Sequence, residues 1–457
     1  MAKKDKNERG SKEKKGKSGN EPFLFLGTRF AAIDKTTATN HILLLIITTI
    51  IMKFVVVFFT TAVFHSFIDY FDIGVYLNSV TPLTQGQLPY IDYAFEYPIL
   101  TLVPILLAFL PAVLTQSGLV FVLSFQLLMI LCDLFIVISI YLIGIRIYHE
   151  TTAFYGGLIY ATAFSTAYFV ITKSDAFPTA LLMAGLLFAV YGMGSRGYAS
   201  ASAGFFAKLF PAVSLPFMIA YNAKKTSVKE ELISAIKIFL IFCIVLLLPL
   251  AILRPTTLSS YLFATGGSVG VYVNTATYTI FAGLSEVFPS GISLSFLSTI
   301  MYLIMAAVLL LLFAIAFIDR EKKEKTLLVL TLCALFSLVF FTKFHSPQYL
   351  VWFTPLLALL VADDIIKIGL FYLSQVFAYI EFPLLFGTFY TNTQYVNPIG
   401  SSGWYLTLLF FTAENIVFVT LMYFTVRPEC GIVRKIKSYY ALFSQRPESN
   451  EKSAENR

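Results

Sequence analysis

Asp69 and Asp72 stand three residues apart, a spacing that puts both carboxylates on one face if the end of a helix runs through them. A close pair of this kind raises the pKa of one member, which suits a general base. Two further acids, Asp92 and Glu96, lie in the segment Gly86-Gln-Leu-Pro89-Tyr90-Ile-Asp92-Tyr-Ala-Phe-Glu96-Tyr97-Pro98. Groups able to meet an anion come from separate parts of the chain: Lys173, Lys208, Arg254, Lys343 and His345, with Asp175 two residues beyond Lys173. A base facing an anionic leaving group is the chemistry this set would support.

Each group also has a plainer reading. Asp69 and Asp72 would serve equally as solvated helix-end acids, and Asp92 and Glu96 as ordinary loop contacts. Lys173, Lys208 and Lys343 are long enough to snorkel toward an interface, Arg254 before Pro255 can anchor a helix end, and His345 beside Ser346-Pro347 can make a structural hydrogen bond.

The elements that must position these residues are membrane helices. Of 457 residues, 58% are hydrophobic and 13% charged, and the mean hydropathy is +0.78, above the range of soluble globular chains. The apolar runs are continuous rather than alternating, which argues for helices and against a β-barrel. A net charge of +7 arises mainly in the N-terminal stretch and in short loops, a pattern of membrane topology and not of nucleic-acid binding. Cys132, Cys243, Cys333 and Cys430 stand singly and read as structural.

The Lys-rich residues 1–40 read as a basic cytoplasmic tail, disordered up to about Asn20 and followed by a retained signal anchor. The segment 41–426 is then the transmembrane domain, with a first outer loop at 65–118 and a second at 254–290; residues 427–457 form a cytoplasmic C-terminal tail. Ile99 to Leu114 is short and broken by Pro104 and Pro111, so it is expected to lie at the interface or to re-enter; counting it as a span would invert the sides of Arg146 and Arg196. Tyr198 to Tyr221 has cations at both ends and Pro211 within it, the pattern of a re-entrant hairpin around Lys208. The expected fold is an all-α polytopic bundle of about ten spans plus that hairpin, with interfacial helices in the first outer loop.

The segment from Gly86 to Pro98, preceded by an acid after the first span, resembles the first outer loop of the GT-C membrane glycosyltransferases, especially the polyprenyl-phosphate-mannose-dependent mannosyltransferases. Three further pieces are similar in order and place: Lys173-Ser-Asp175, Ala207-Lys208-Leu-Phe-Pro211, and Phe344-His345-Ser-Pro347-Gln348-Tyr349-Leu-Val-Trp352-Phe-Thr-Pro355. The resemblance covers most of the chain, from about Asp69 to Pro355. It implies a GT-C-like bundle and a transfer with inversion from a polyprenyl- or dolichyl-phosphate hexose, with mannose the expected sugar. The implied acceptor is a lipid-linked glycan, a glycolipid or a protein. It also implies that Asp72, with Asp69 second, is the general base. The lysines, Arg254 and His345 would then meet the lipid phosphate, and Gln348 and Tyr349 the sugar hydroxyls, with Asp175, Asp92 and Glu96 completing the substrate site. Here the acids read D-x-x-D where many relatives show a D-x-D-like pair, and metal-independent chemistry with no cofactor is expected.

Two other classes stay open. A transporter or lipid flippase would also use broken helices with a buried lysine, although an interrupted hairpin is evident only in the first half. A structural or assembly subunit would not need so many charges on one side. The expected location is a prokaryotic cell membrane, with the endoplasmic reticulum as the alternative, both termini in the cytoplasm, and partners limited to the lipid-linked donor, the acceptor and membrane lipid, without nucleic acid.

Overall fold

A chain that places its backbone in hydrocarbon must satisfy every N–H and C=O within its own helices, and that demand sets the architecture. The computed structural model describes residues 22–63, 69–256, 270–288, 291, 293–319 and 321–427. The Lys-rich stretch up to Asn20, Phe67 of the first outer loop, Arg320, Cys430 and the basic residues Arg434, Lys435 and Lys437 lie outside the described residues.

The chain is an α-helical, multi-pass membrane protein. In order, its helices are α1 (Lys35–Phe58), α2 (Phe71–Val80), α3 (Leu102–Thr115), α4 (Gly118–Ile147), α5 (Glu150–Ala161), α6 (Phe164–Thr172), α7 (Ala176–Val190), α8 (Gly194–Ala207), α9 (Leu215–Asn222) and α10 (Val228–Leu253). They continue as α11 (Ala276–Val287), α12 (Leu294–Ile318), α13 (Glu324–Phe341), α14 (Leu350–Val361), α15 (Ile365–Tyr379) and α16 (Ser402–Val426). Among the described residues seven helices are long and apolar enough to cross a membrane: α1, α4, α10, α12, α13, α15 with its continuation to Leu385, and α16. The pair α5 and α6, bent by 58°, passes as an eighth, while α7 and α14 are shorter apolar helices.

The 30-residue α4, about 45 Å long at 1.5 Å per residue, is the mast of the bundle. Gln126 donates to the Ile171 carbonyl of α6 at 3.2 Å, and Tyr191, just beyond α7, donates to the Leu142 carbonyl at 2.7 Å. Gly144 lets α5 and α14 close in, for a Cβ there would lie 2.7 Å from that of Ala153 and 3.0 Å from Leu359 Cδ1. At its centre Asp133 takes Lys53 of α1 at 2.5 Å and the Tyr160 hydroxyl of α5 at 2.6 Å. Lys53 and Asp133 keep only 3% and 0% of their side-chain surface exposed.

The break between α5 and α6 frees backbone donors that lipid cannot satisfy. Gln375 of α15 answers one of them, accepting from Thr166 N at 3.1 Å, while the Thr162 hydroxyl lies 2.6 Å from that of Tyr372. The bend therefore fixes where α6 ends, at Lys173.

Two irregular segments contain proline. Thr101 at the start of α3 bonds the Ala207 carbonyl beside Lys208, and past the end of α3 Gly118 faces Leu77 of α2. α8 and α9 form a hairpin whose base is closed by Asn222 donating to the Tyr198 hydroxyl at 3.0 Å and whose apex carries Lys208. Near that apex Gly204 packs on Pro211, where a Cβ would come within 2.5 Å.

Two local features differ from the composition-based outline. The stretch before the first helix holds an antiparallel hairpin, β1 (Pro22–Phe25) with β2 (Thr28–Asp34). Its Phe25 ring meets Tyr191 edge-on at 5.1 Å. Asp34 then caps Thr37 N at 2.9 Å, so α1 begins at Lys35, six residues before His41. Second, α2 starts at Phe71 with Asp69 ahead of it, so Asp69 and Asp72 do not share a continuation of the first helix.

Removing one member of a sealed ion pair strands the other, at a cost of roughly 3–5 kcal/mol, whereas apolar replacement of both is near neutral. Lys53→Met and Asp133→Leu are therefore each expected to lower the unfolding temperature of detergent-purified protein sharply, and the double change to recover most of the loss. Additive losses in the double variant would refute the pairing.

Candidate functional site

The three residues between α6 and α7 bring the predicted groups together. Lys173 ends α6 in extended backbone (φ −132°, ψ 163°) and turns its Nζ to Asp69 Oδ2 at 2.8 Å and Asp72 Oδ2 at 3.1 Å. Ser174 receives the Tyr76 hydroxyl at 3.2 Å. Asp175 Oδ1 accepts from Lys208 Nζ at 2.6 Å and from Trp352 Nε1 at 2.5 Å. One short junction thus ties the first loop, the hairpin apex and the start of α14.

The two halves differ in openness. Lys173 is buried, while Asp69 and Asp72 keep 25% and 21% of their side-chain surface. Asp175 is sealed at 1%, and its Oδ2 is buried with no hydrogen-bond partner among the described residues. Lys208 sits 5.5 Å from the Tyr349 ring centre and 5.4 Å from that of Trp352. The indole is itself stacked on Phe210 at 4.2 Å and on Tyr349 at 3.9 Å. This aromatic wall holds the ammonium by cation–π attraction as well as by charge. Asp175 is in this way an anchor, and the acids open to a substrate are Asp69 and Asp72.

Those two acids are not equivalent. Asp69 Oδ1 accepts from Phe71 N at 2.9 Å, and its other oxygen is taken by Lys173; its own N–H donates to the Tyr168 hydroxyl at 3.0 Å. Asp72 commits only Oδ2, to Lys173. Among the described residues Asp72 Oδ1 is thus the carboxylate oxygen of this pair left free to accept a proton from an arriving hydroxyl.

Three carboxylates here face two ammoniums, a formal excess of one negative charge. Lys173 and Lys208 are therefore committed to acids. Among the described residues Lys343 and Arg254 engage no carboxylate: Lys343 lies over the Phe344 ring at 4.9 Å, and exposed Arg254 donates to the Ile91 carbonyl. Burial lowers the pKa of His345 below the ordinary imidazole value, which leaves it neutral at pH 7 and removes it from the set of standing cations.

The remaining candidates make local contacts. Asp92 accepts from Leu88 N at 2.6 Å in an exposed turn, Glu96 is exposed, and Gln348 accepts from the Ser346 hydroxyl. Asp69, Asp72, Lys173, Asp175, Lys208 and Tyr349 form the assembled core of the site. Lys343 and His345 stand on the loop leading to Tyr349, and Arg254, Asp92 and Glu96 belong to surface segments.

The chain matches no family model and no curated protein sequence. The reading of the site therefore rests on its geometry.

Several residues at or near this site carry no mark in the loop motifs. Trp352 lies inside a quoted motif as an aromatic among aromatics, yet it supplies the second donor to Asp175. Glu381 and Glu414, both buried, and Lys53 and Asp133 sit inside apolar runs. Their signal was available, since an ionisable residue within a span needs a partner or a task. Phe382, next to Glu381, has its ring 5.4 Å from Lys173 Nζ, which makes the Glu381 segment a wall of the site.

Trp352→Phe keeps the stack and removes one donor to a buried carboxylate, a loss of about 1–3 kcal/mol. A clear drop in unfolding temperature with near-normal helix content is the expected outcome. Unchanged stability would remove the Trp352–Asp175 bond from this account.

Proposed function

We propose that this protein is a GT-C-type membrane glycosyltransferase that moves a hexose, mannose in the first instance, from a polyprenyl or dolichyl phosphate to a hydroxyl of a lipid-linked glycan, glycolipid or protein. On this reading the Asp72 end of the bundle faces away from the cytoplasm, both termini are cytoplasmic, about ten spans surround the hairpin, and the membrane is that of a prokaryotic cell. The observation that carries the reading is the single uncommitted carboxylate oxygen of Asp72, held beside Lys173 at an open helix end.

Asp72 Oδ1 takes the proton of the acceptor hydroxyl as the acceptor oxygen bonds to the anomeric carbon. The bond from that carbon to the phosphate oxygen breaks, the lipid phosphate leaves with the electron pair, and the configuration inverts. Lys173 fixes the orientation of the Asp72 carboxylate, while Lys343 and Arg254 are the cations available to the departing phosphate. Lys208 acts through Asp175, which holds the α6–α7 junction and hence Lys173. No metal takes part in this scheme.

A transporter or lipid flippase is the competing reading, and the bent α5–α6 pair beside Lys53 and Asp133 is the feature in its favour. Against it, both side chains are sealed and mutually paired, as a structural fastening requires.

Base catalysis contributes about 10²–10⁴ in rate. Asp72→Asn is expected to reduce kcat for transfer from polyprenyl-phosphate-mannose by that order with donor KM little changed, and Asp69→Asn to cost less. Mass spectrometry of product glycans from purified protein reads the outcome. Full activity of Asp72→Asn would exclude it as base, and lipid movement across vesicles without transfer would favour the transporter.

A further inference from the structure

Behind Phe382 lies a group of buried hydrogen-bond acceptors that the proposed proton transfer does not use. Glu381, at 2% exposure, accepts from Asn274 Nδ2 at 2.7 Å through Oε1. The same amide nitrogen donates to the His345 carbonyl at 2.9 Å. Glu381 Oε2 lies 3.8 Å from His345 Nε2, beyond hydrogen-bond length. Among the described residues Asn274 Oδ1, on a side chain 4% exposed and bonded into this group, has no hydrogen-bond partner, nor has Oε1 of Glu414, 6% exposed. Glu414 stands three residues beyond Phe411 of α16, whose ring meets that of Tyr390 at 5.1 Å, and the Tyr390 hydroxyl donates to the Glu381 carbonyl at 3.3 Å.

A buried acceptor without a donor costs about 1–3 kcal/mol, so two in one group are a structural fault unless something supplies donors. Among the described residues no set of three or more His, Cys, Asp or Glu is arranged for a metal. What the group lacks is O–H or N–H donors. A hexose presents several hydroxyl donors on one rigid ring, and the group adjoins the Lys173 site through Phe382. Phe382 contacts Lys173, which holds Asp69 and Asp72. His345 is two residues from Lys343, and the Lys343 carbonyl accepts from Tyr272 N at 2.9 Å, two residues before Asn274.

We propose that Glu381, Asn274 and His345, backed by Glu414, form the subsite that recognises the hydroxyls of the transferred hexose and selects among epimers. This rests on the transferase reading for the identity of the ligand, but its test does not depend on turnover. A site built to bond a hydroxyl rejects an analogue lacking it in that position by factors of up to about 10⁴–10⁵, so loss of one acceptor should erase a measurable part of the discrimination.

The experiment uses full-length protein in nanodiscs and reads binding of polyprenyl-phosphate-linked mannose, glucose and galactose by thermal shift, with transfer assayed in parallel. Wild type is expected to prefer one epimer. Glu381→Gln and Asn274→Ala are each expected to cut that preference at least about tenfold, chiefly through the affinity for the preferred sugar. Selective binding retained at wild-type ratio by both folded variants would overturn the subsite, as would equal or absent binding of all three sugars by wild type. Selective binding without any transfer would instead defeat the transferase reading and leave the subsite standing. Asn274→Ala lies on a loop outside the spans, so it serves as the second probe should Glu381→Gln not fold.

Discussion

A charge inside an apolar bundle survives only beside a partner, and this one constraint organises the molecule. Lys53 with Asp133 obeys it in the most enclosed form, with Tyr160 completing the shell. Lys208 with Asp175 obeys it at the hairpin apex, where one side of the ammonium meets an aromatic wall. Lys173 with Asp69 and Asp72 obeys it at the edge, with the acids partly open. The exposure of the acid rises from 0% through 1% to 21–25% from the first of these to the third, and with it the freedom to exchange partners.

The junction 173–175 makes these constraints interdependent. Because α6 stops in extended backbone at Lys173 and α7 begins at Ala176, adjacent side chains turn to different neighbours instead of sharing a helix face. Lys173 faces the first loop and Asp175 faces the hairpin and α14. The position of the junction is in turn set by the α5–α6 bend, held by Gln375 and Tyr372 of α15. A fastening in the interior and a carboxylate at the surface are thus parts of one mechanical chain.

The apolar runs made the helical membrane fold legible, because hydrophobic length is a direct reading of bilayer thickness. Pro211 marks the break between α8 and α9, and Pro104 and Pro111 fall in the short helix α3, since proline removes a donor that lipid cannot replace. Lys173, Asp175 and Lys208 stand out in the sequence as charges that the positive-inside pattern leaves unexplained. Tertiary pairing was not legible: nothing local joins Trp352 to Asp175 across 177 positions, or Lys53 to Asp133 across α1 and α4. The hairpin at Pro22–Asp34 was hidden by the Lys-rich composition before it, although Phe-Leu-Phe-Leu-Gly marks a short strand running into a turn.

The charge balance bears on the division of labour in the proposed reaction. An inverting displacement needs base and leaving group on opposite faces of the anomeric carbon, and a cation placed with both would blur that polarity. With Lys173 and Lys208 absorbed by three carboxylates, the core of the site is net negative, which repels a phosphate from Asp72 and favours an incoming hydroxyl. Lys343 and Arg254, which among the described residues engage no carboxylate, come from other loops. In the proposed reaction, separating the charges in this way would orient a lipid phosphate before any contact specific to its sugar is made.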